Sequence, residues 1–492
     1  MLSLAILFPL AAAAAVLASA GRSGMARTVF LAATAIEVVL TAVLWAGYRA
    51  PGPNGLAYEE RLRWIPNVGS SYHVGADGFS LPLIGLTAVI FLGCAVYDWG
   101  ARDRPAPRAA LFLFLEATSV GLFAAQDLIL FFLFFDLSIV GMYFVIAGWG
   151  HGDKARSALK FFLYTFLGSL ALLLGFIGLY LGAAPHTFDI PELLQAQPLR
   201  NNPAGLWVLG AVVVGLAIKT PTVPFHTWLP PAHTDAPATG SAVLAGVLLK
   251  MGTYGFVRIA MPLLPDAWRA WVPALVAVGV VSVLYGALVA LAQSDLKRMI
   301  AYTSVNHMGY IVLALAAAGA SGNPAARETA VTGAVTQMVS HGLITGALFL
   351  LAGVLHSRAG TYDMGAFGGL ASPAPRFAAF FAVAAFASLG LPGFSGFIAE
   401  FQIFAGSIGA VPLTALALPG ILITAALFLR ALQRVFTGEP RGKSTGLTDL
   451  RPAEAWSAGG LLVLSVLIGL IPAPLLDTIS PASASLVSLL GG

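Results

Sequence analysis

The chain has 492 residues, of which 58% are hydrophobic and only 10% carry a charge. A soluble domain of average composition has about 25% charged residues, so this composition predicts a polytopic membrane protein. The net charge of +4 comes with no basic run or aromatic-interleaved patch, which excludes a nucleic-acid-binding surface. The single cysteine, Cys94, excludes an internal disulfide, an iron–sulfur cluster and a cysteine-built zinc site. We expect it to be a small packing residue.

The first apolar stretch, Leu2 to Ala20, ends in Ala18-Ser-Ala20 and so resembles a signal peptide. No positive residue precedes it, and Arg22 and Arg27 follow it. The positive-inside rule therefore predicts an uncleaved span with its N-terminus outside.

Apolar stretches of about 20 residues, the length that crosses a bilayer, occur about fourteen times, so the sequence predicts an all-α polytopic membrane protein. Their predicted limits are 2–20, 28–47, 79–97, 109–126, 128–149, 158–182, 204–229, 238–260, 269–292, 299–318, 330–355, 375–405, 411–434 and 456–475. The longest loop, about 49–78, carries Pro51-Gly-Pro53 and no catalytic constellation. No Walker loop, dinucleotide fingerprint or nucleophile elbow occurs. We expect the function to lie within the membrane and to involve no bond chemistry.

The basic residues test this topology independently, because Lys and Arg collect on the inner side of a membrane. An even number of spans puts both termini on one side, and placing that side outside leaves most basic residues inside. The predicted inner residues are Arg22, Arg27, Arg102, Arg104, Arg108, Lys154, Arg156, Lys160, Lys297, Arg298, Arg358, Arg376, Arg430, Arg434, Arg441, Lys443 and Arg451. The predicted outer residues are Arg49, Arg61, Arg63, Arg200, Arg258, Arg269 and Arg327. Lys219 and Lys250 belong to neither group, because both fall within spans.

Two spans contain helix breaks at corresponding places. Span seven is interrupted at Pro221 and Pro224, and span twelve, five spans later, at Gly390-Leu-Pro392-Gly393. Paired broken helices indicate a transporter site, because unwound backbone at membrane depth lines a polar cavity. An odd offset predicts two inverted five-helix repeats, 109–262 (helices four to eight) and 263–436 (helices nine to thirteen). Residues 1–108 form the first three helices and 437–492 the last.

Buried charges in the spans are costly and point to function. Lys219 precedes the break in span seven, Lys250 lies in span eight, and Asp136 lies among aromatic residues of span five. A lysine with a movable acidic partner can load and release a proton, and Lys219 is the obvious partner of Asp136. The alternatives are lysines that snorkel or form static ion pairs, and a protonated, hydrogen-bonded packing role for Asp136.

Three further acids lie in the spans. Glu400 follows the break in span twelve and could carry the exiting proton, or it could lie close enough to the interface to be merely solvated. For Glu116 and Glu37, static pairing or hydrogen bonds in helix packing are as good an explanation as a role in transport.

His226, His307 and His341 lie in or beside the spans, where their pKa suits them to bridge the lysines. Paired transmembrane histidines can instead ligate haem, and His341 could be a hydrogen-bonded core residue. We expect His186 and His233 to be loop or interfacial residues.

Four stretches together resemble one family, the antiporter-like subunits of complex I, the proton-pumping NADH:quinone oxidoreductase. They are Lys219-Thr-Pro-Thr-Val-Pro-Phe-His-Thr-Trp-Leu-Pro, Leu244-Ala-Gly-Val-Leu-Leu-Lys250-Met-Gly-Thr-Tyr-Gly, Ser294-Asp-Leu-Lys-Arg-Met-Ile-Ala-Tyr-Thr-Ser-Val-Asn-His307-Met-Gly-Tyr and Leu391-Pro-Gly-Phe-Ser-Gly-Phe-Ile-Ala-Glu400-Phe. The similarity runs from about span four to span thirteen. It is strongest to M-type subunits, the homologues of mitochondrial chain 4, because L-type, N-type and Mrp-antiporter relatives usually carry lysine at the position of Glu400.

The resemblance implies one proton route in which Lys219 pairs with the acid of span five, Lys250 continues through His307, and Glu400 is the terminal site. It implies no cofactor in this chain, with NADH, FMN, iron–sulfur clusters and quinone in partner subunits, and L-type and N-type subunits as neighbours in a bacterial inner membrane. The chain departs from the family in two places. Asp136 replaces the usual glutamate, which puts the strength of its pair with Lys219 in doubt, and Pro231 replaces a loop aspartate.

Three functions stay open at this point. The first is a proton-translocating subunit of complex I, driven by redox chemistry in other subunits. The second is a subunit of an Mrp-type cation/proton antiporter or of a membrane-bound hydrogenase. The third is a passive membrane scaffold whose buried charges are static.

Overall fold

The computed structural model describes residues 1–18, 23–49, 55–100 and 102–491, which form a helical bundle with one antiparallel hairpin. The helices are α1 Leu2–Ala18, α2 Ser23–Gly47, α3 Ser80–Tyr97, α4 Pro105–Ala124, α5 Leu128–Trp149, α6 Lys154–Gly182, α7 Ile190–Ala196, α8 Ala204–Lys219, α9 Leu229–Asp235, α10 Ala238–Val243, α11 Leu249–Gly255, α12 Met261–Leu263, α13 Pro265–Leu291, α14 Leu296–Ala318, α15 Pro324–Ala359, α16 Pro375–Ser388, α17 Ser395–Ala410, α18 Pro419–Phe436, α19 Pro452–Leu470 and α20 Ala473–Leu489. The strands are β1 Ala57–Ile65 and β2 Ser70–Ala76. Arg22 and the loop residues Pro51 and Pro53 lie outside the described ranges.

The prediction of an all-α membrane fold is confirmed. Within the described residues, 11 helices are long and apolar enough to cross a membrane. Three shorter apolar helices, α1, α8 and α16, lie where spans one, seven and twelve are predicted. The exact number of fourteen spans stays a prediction.

Loops that are far apart in sequence meet at one end of the bundle, which we call the basic face. It comprises residues 102–104, 150–153, 292–298, 359–374 and 437–451. Arg104 donates to the Gly148 carbonyl at 2.5 Å, and Lys297 Nζ donates to the Ala236 carbonyl at 2.5 Å. Seven of the 17 predicted inner basic residues lie in these loops, and six more lie within four positions of them, so the charge pattern and the packing agree on which loops share a side.

The opposite end, which we call the hairpin face, contains β1 and β2 and the chain termini. The amino group of Met1 contacts Glu60 Oε1 of β1 at 2.6 Å. Arg327 donates to the Gly491 carbonyl at 2.9 Å, which places the C-terminal end there as well. Both termini therefore lie on one face, as an even number of spans requires.

The hairpin is an element that the sequence reading treated as a loop. Buried residues of β2 pack against the start of α5, where the Asp127 side chain accepts hydrogen bonds from the backbone N–H groups of Ile129 and Leu130 and so caps the helix. The Ser71 backbone N–H donates to the same carboxylate at 3.0 Å. The hairpin thus holds the helix that carries Asp136.

The helix breaks occur where the prolines and glycines predict them. The α8 helix ends at Lys219 and α9 begins at Leu229, and the Trp228 indole donates to the Ile218 carbonyl at 2.9 Å. In an unbroken helix the Thr222 backbone N–H would donate to Ile218, but it donates to the Ala217 carbonyl at 3.2 Å, so the indole supplies the bond that Ile218 would otherwise lack. The second break separates α16 from α17, with Gly390 at φ +75° and Gly393 at φ +99°, values that favour glycine.

The two broken helices run in opposite directions, as an inverted repeat requires. The chain enters α8 from the hairpin face, where the Asn201 backbone N–H donates to Asp266 at 3.1 Å. It enters α16 from the basic face, where the Arg376 backbone N–H donates to Asp449 at 3.0 Å. The division of the chain at residues 108, 262 and 436 stays a prediction.

The last predicted span corresponds to α19, but the chain then continues toward the hairpin face as a second helix, α20, which the sequence reading missed. Pro472 and Pro474 lie at the junction of the two helices. Helix α20 packs against α15, where the Thr332 hydroxyl donates to the Ser483 hydroxyl at 3.0 Å. A hydroxyl-rich helix has too weak a hydropathy signal to stand out in the sequence.

Candidate functional site

Lys219 lies fully buried at the end of α8, where the first break begins. Its ammonium group donates to the Ser138 hydroxyl at 3.1 Å and lies 4.8 Å from the centre of the Phe135 ring. Both partners belong to α5. The break therefore aims the lysine at α5, and the aromatic face stabilises the positive charge in a dry setting.

Asp136 lies next to this lysine but forms no ion pair with it. Its carboxylate is close enough for the charge of Lys219 to act on it, with Ser169 as its polar neighbour. The N–O separation exceeds 4.0 Å, however, and Asp136 Oδ1 has no hydrogen-bond partner among the described residues. The shorter acid thus leaves the pair open, in keeping with the looser pairing expected of aspartate at this position.

Lys250 lies fully buried in α11, directly after a π-helical turn, Leu244–Leu248. A π-turn shifts the backbone hydrogen bonds by one residue and releases a carbonyl. The Lys250 ammonium group donates to the carbonyl of Ala245 in this turn, and its Nζ lies 2.7 Å from His341 Nδ1. The π-turn therefore supplies a carbonyl that binds the lysine. In the sequence, this turn is visible only as an apolar segment.

Two histidines continue the path from Lys250. His341 Nε2 lies 3.2 Å from the Ser304 hydroxyl, and the His307 ring packs edge-on against the His341 ring at 5.3 Å between centres. An ammonium group can only donate, so Lys250 donates to a neutral His341 whose Nε2–H faces Ser304. Each neutral imidazole can accept a proton on one nitrogen and release another, which suits it to proton transfer.

Glu400 ends this path. Its Oε1 lies 3.8 Å from His307 Nε2, and the residue as a whole is 7% exposed. It also faces a cavity of about 430 Å³ at the edge of the bundle, lined by Gly390, Phe397, Glu400, Phe401, Phe404 and Ile421. Helices α11, α15, α14 and α17 therefore supply one line of titratable groups, Lys250, His341, His307 and Glu400, which we call the central line.

The segments that carry the two lysines pack directly against each other. Gly252 lies against α8, where a Cβ atom would meet the Thr220 hydroxyl. No hydrogen bond among the described residues joins Lys219 to Lys250, so the connection between them runs through the packing of α8 against α11.

Two histidines differ from the sequence reading. His226 does not join the central line, because its ring packs against Tyr285 at 5.1 Å and Tyr302 at 6.3 Å. His233 was expected in a loop or at the interface, and that expectation is wrong. It is fully buried on α9, stacks on Phe349 at 4.4 Å, and neither ring nitrogen has a hydrogen-bond partner among the described residues.

Glu37 and Glu116 face each other away from the central line. Both are fully buried on neighbouring helices α2 and α4, and within the described chain none of their four carboxyl oxygens has a hydrogen-bond partner. The charge of Glu37 acts on Glu116. Two unpaired carboxylates buried side by side would be very costly, so both groups are protonated.

A second polar cluster, which the sequence reading missed, lies outside the spans on the hairpin face. His73 is 1% exposed, with Asp189 Oδ2 2.6 Å from Nδ1 and Glu59 Oε1 2.8 Å from Nε2. Burial alone would lower the pKa of His73, but the hydrogen bonds and charges of Asp189 and Glu59 outweigh it and raise this pKa. Glu59 comes from the other strand of the hairpin and Asp189 from a segment 116 residues away, so no local motif indicates the cluster.

The chain is similar to known membrane proteins. The model of the family described as "NADH:quinone oxidoreductase/Mrp antiporter, TM" matches residues 125–426. The NADH-quinone oxidoreductase subunit M of Rickettsia bellii is 39% identical over 426 residues, covering 85% of this chain and 84% of that protein. The subunit M of Rhodobacter capsulatus is 37% identical, covering 99% and 96%.

Solved structures show the same fold. A chain of respiratory complex I from Thermus thermophilus superposes with a TM-score of 0.89 and 31% identity, covering 100% of both chains. A chain of the Mrp complex from Dietzia gives a TM-score of 0.86 at 22% identity, covering 100% of this chain and 99% of that one, and shows the shared fold. The chain belongs to the NADH:quinone oxidoreductase/Mrp antiporter transmembrane family.

Proposed function

We propose that the chain is a proton-translocating membrane-arm subunit of a proton-pumping NADH:quinone oxidoreductase. The observation that carries this proposal is the central line, in which Lys250, His341, His307 and Glu400 follow one another at membrane depth. Four titratable groups from four helices are costly to bury. Passage of a proton from each group to the next would explain why these groups are buried together.

The broken helix supplies the gate in this proposal. Opening or closing the contact of Lys219 with Asp136 changes the positive charge that Lys250 experiences across the α8–α11 contact. A proton then leaves the Lys250 ammonium group for His341, passes through His307 and arrives on the Glu400 carboxylate. The cavity beside Glu400 offers the exit from the line.

Energy must come from partner subunits. Moving one charge against a membrane potential costs about 2.3 kcal/mol per 100 mV, and this chain is proposed to be a non-redox subunit. The proposed partners are L-type and N-type antiporter-like subunits, with NADH, FMN, iron–sulfur clusters and quinone in the rest of the complex. The printed names of the relatives, subunits M of NADH-quinone oxidoreductases, support this assembly.

The proposed location is a bacterial inner membrane with both termini on the outer side. The loops of the basic face and the residues within four positions of them carry 13 of the 17 predicted inner Lys and Arg residues, and this face would lie in the cytoplasm. The hairpin face, with Met1 and Gly491, would then face the periplasm.

The test is proton pumping by assembled complexes in inverted membrane vesicles. We expect Lys250→Ala to lower the number of protons moved per NADH at least fivefold while NADH oxidation with an uncoupler persists, because the first donor of the line is lost. Lys443→Ala removes an exposed lysine of the basic face and is the matched control. Normal pumping by a fully assembled Lys250→Ala complex would instead favour a passive scaffold.

Cation/proton antiport is the second candidate function, because the fold is shared with the Mrp complex of Dietzia. The same vesicles distinguish the two. If pumping by the intact complex requires sodium and stops when sodium is replaced by choline, the antiport function is supported. Pumping that is independent of sodium supports proton translocation alone.

A further inference from the structure

The central line runs from Lys250 to Glu400, and protons that reach Lys250 from the basic face have to pass α9. The short helix α9 lies between the basic face and Lys250, and no second helix of the described chain covers it there. On its outer side lies a cavity of about 440 Å³, lined by Lys160, Thr227, Pro230, Thr234, Asp235 and Arg298. On its buried side lies His233.

Lys297 reaches across the end of α9 from the first turn of α14. Its side chain is fully buried, and its Nζ donates to the Thr234 carbonyl at 3.3 Å and to the Ala236 carbonyl at 2.5 Å. Free carbonyls at a helix C-terminus favour a cation, and the charges of Asp235 and Asp295 also act on it. The Tyr362 ring covers it at 5.1 Å. Thr234 both lines the cavity and binds Lys297, so the lysine lies at the cavity wall.

His233 lies between this lysine and the central line. The positive charges that act on His233 are those of Lys297 and Lys250, and the charge of His233 in turn acts on His341. Both nitrogens of His233 lack hydrogen-bond partners among the described residues. A fully buried histidine with two free nitrogens is costly to keep, unless those nitrogens are needed to accept and release a proton.

We propose that Lys297 and His233 form the proton entrance of the central line, carrying protons across α9 from the basic-face cavity to Lys250. The Lys297 ammonium group leaves its carbonyls and gives a proton to one nitrogen of His233. The resulting imidazolium releases its other N–H proton to the Lys250 amine, which has just lost a proton to His341. The Lys297 amine regains a proton from water of the cavity, so protons and charge balance at each step.

This inference rests on the proposed function, and two variants separate proton transfer from a structural role. Lys297→Arg keeps the positive charge and the donors for the carbonyls, but arginine cannot release its proton. His233→Phe keeps the stacked ring on Phe349 but cannot carry a proton. Lys443→Arg is the matched control on an exposed lysine of the same face.

The measurement is protons moved per NADH by assembled complexes in inverted vesicles, beside NADH oxidation with an uncoupler. We expect Lys297→Arg and His233→Phe each to lower the ratio at least fivefold, as Lys250→Ala does, with normal uncoupled oxidation and normal assembly. If both variants pump normally while Lys250→Ala does not, the entrance is wrong and the proposed function stands. If Lys250→Ala also pumps normally, the proposed function fails. Should Lys297→Arg not assemble, the His233→Phe result decides.

Discussion

At the scale of single residues, side-chain length decides how Lys219 is held. Aspartate at position 136 ends one methylene short of glutamate, and the structure shows the consequence. The lysine donates to Ser138 and lies on the Phe135 ring instead of forming an ion pair with the acid. The charge of Lys219 is therefore not held by an ion pair, and in the proposed function small movements of α8 change its effect on Lys250.

Replacing Asp136 tests this arrangement. We expect Asp136→Asn to lower the ratio of protons moved per NADH about five- to 150-fold, the range of a coupling free energy of about 1–3 kcal/mol. Asp136→Glu should retain pumping, because the longer side chain can reach Lys219. The comparison is made on assembled complexes in vesicles. Equal pumping by Asp136→Asn and the unaltered complex would show that this acid does not act on the line.

At the scale of elements, the second break positions Glu400. Gly390 has φ +75°, and a Cβ atom there would lie 2.6 Å from Glu400 Oε2. Gly393 has φ +99°, and a Cβ atom there would meet nothing within 4 Å. The two glycines share the left-handed backbone, but only the first contacts the carboxyl group.

This pair of glycines allows a matched experiment. We expect Gly390→Ala and Gly393→Ala both to lower thermal stability modestly, because the left-handed backbone costs a non-glycine residue roughly 1–2 kcal/mol. Only Gly390→Ala should also lower pumping, since its methyl group displaces the Glu400 carboxyl from His307. Similar pumping by the two variants would contradict this account of the break.

The cluster around His73 predicts that the stability of the β1–β2 hairpin depends on pH. The raised pKa of His73 means that its charged contacts stabilise the fold fully below about pH 6.5, the ordinary pKa of histidine. That stability is lost as the pH rises through the higher folded pKa. The contacts are worth about 1.5–3 kcal/mol, the usual range for hydrogen bonds to charged groups.

Hydrogen exchange of residues 57–76 measures this effect. We expect local protection of the hairpin to fall about tenfold or more as the pH rises, after correction for the intrinsic exchange rate. His73→Gln should remove this change, whereas His186→Gln, at an exposed histidine of the same face, should keep it. An unchanged pH dependence in His73→Gln would show that another group controls the hairpin.

The sequence predicted those elements whose signal is local. Hydropathy located the apolar helices, and Pro221 and Gly390 located the breaks because their backbone preferences act at their own positions. The central line was predicted only as a set of residues. Contacts such as Lys250 with His341 join α11 to α15, and nothing in either segment specifies the distance between them. The hairpin cluster and the buried position of His233 depend likewise on tertiary packing.

At the scale of the whole molecule, two inverted halves place their charged groups in one layer. The first half contributes Lys219, Asp136 and Lys250, and the second contributes His307, His341 and Glu400. In the proposed function, partner subunits supply the energy, and the gate at Lys219 and the exit cavity at Glu400 are the places where those subunits would act.

The most direct test of the central line is a double-mutant comparison of proton pumping. We measure protons moved per NADH for Lys250→Ala, for Glu400→Gln and for the double variant in assembled complexes. Groups that act in series are strongly non-additive, so we predict that the double variant pumps no worse than the poorer single variant. Losses that multiply across the two variants would show two independent routes and would contradict a single line from Lys250 to Glu400.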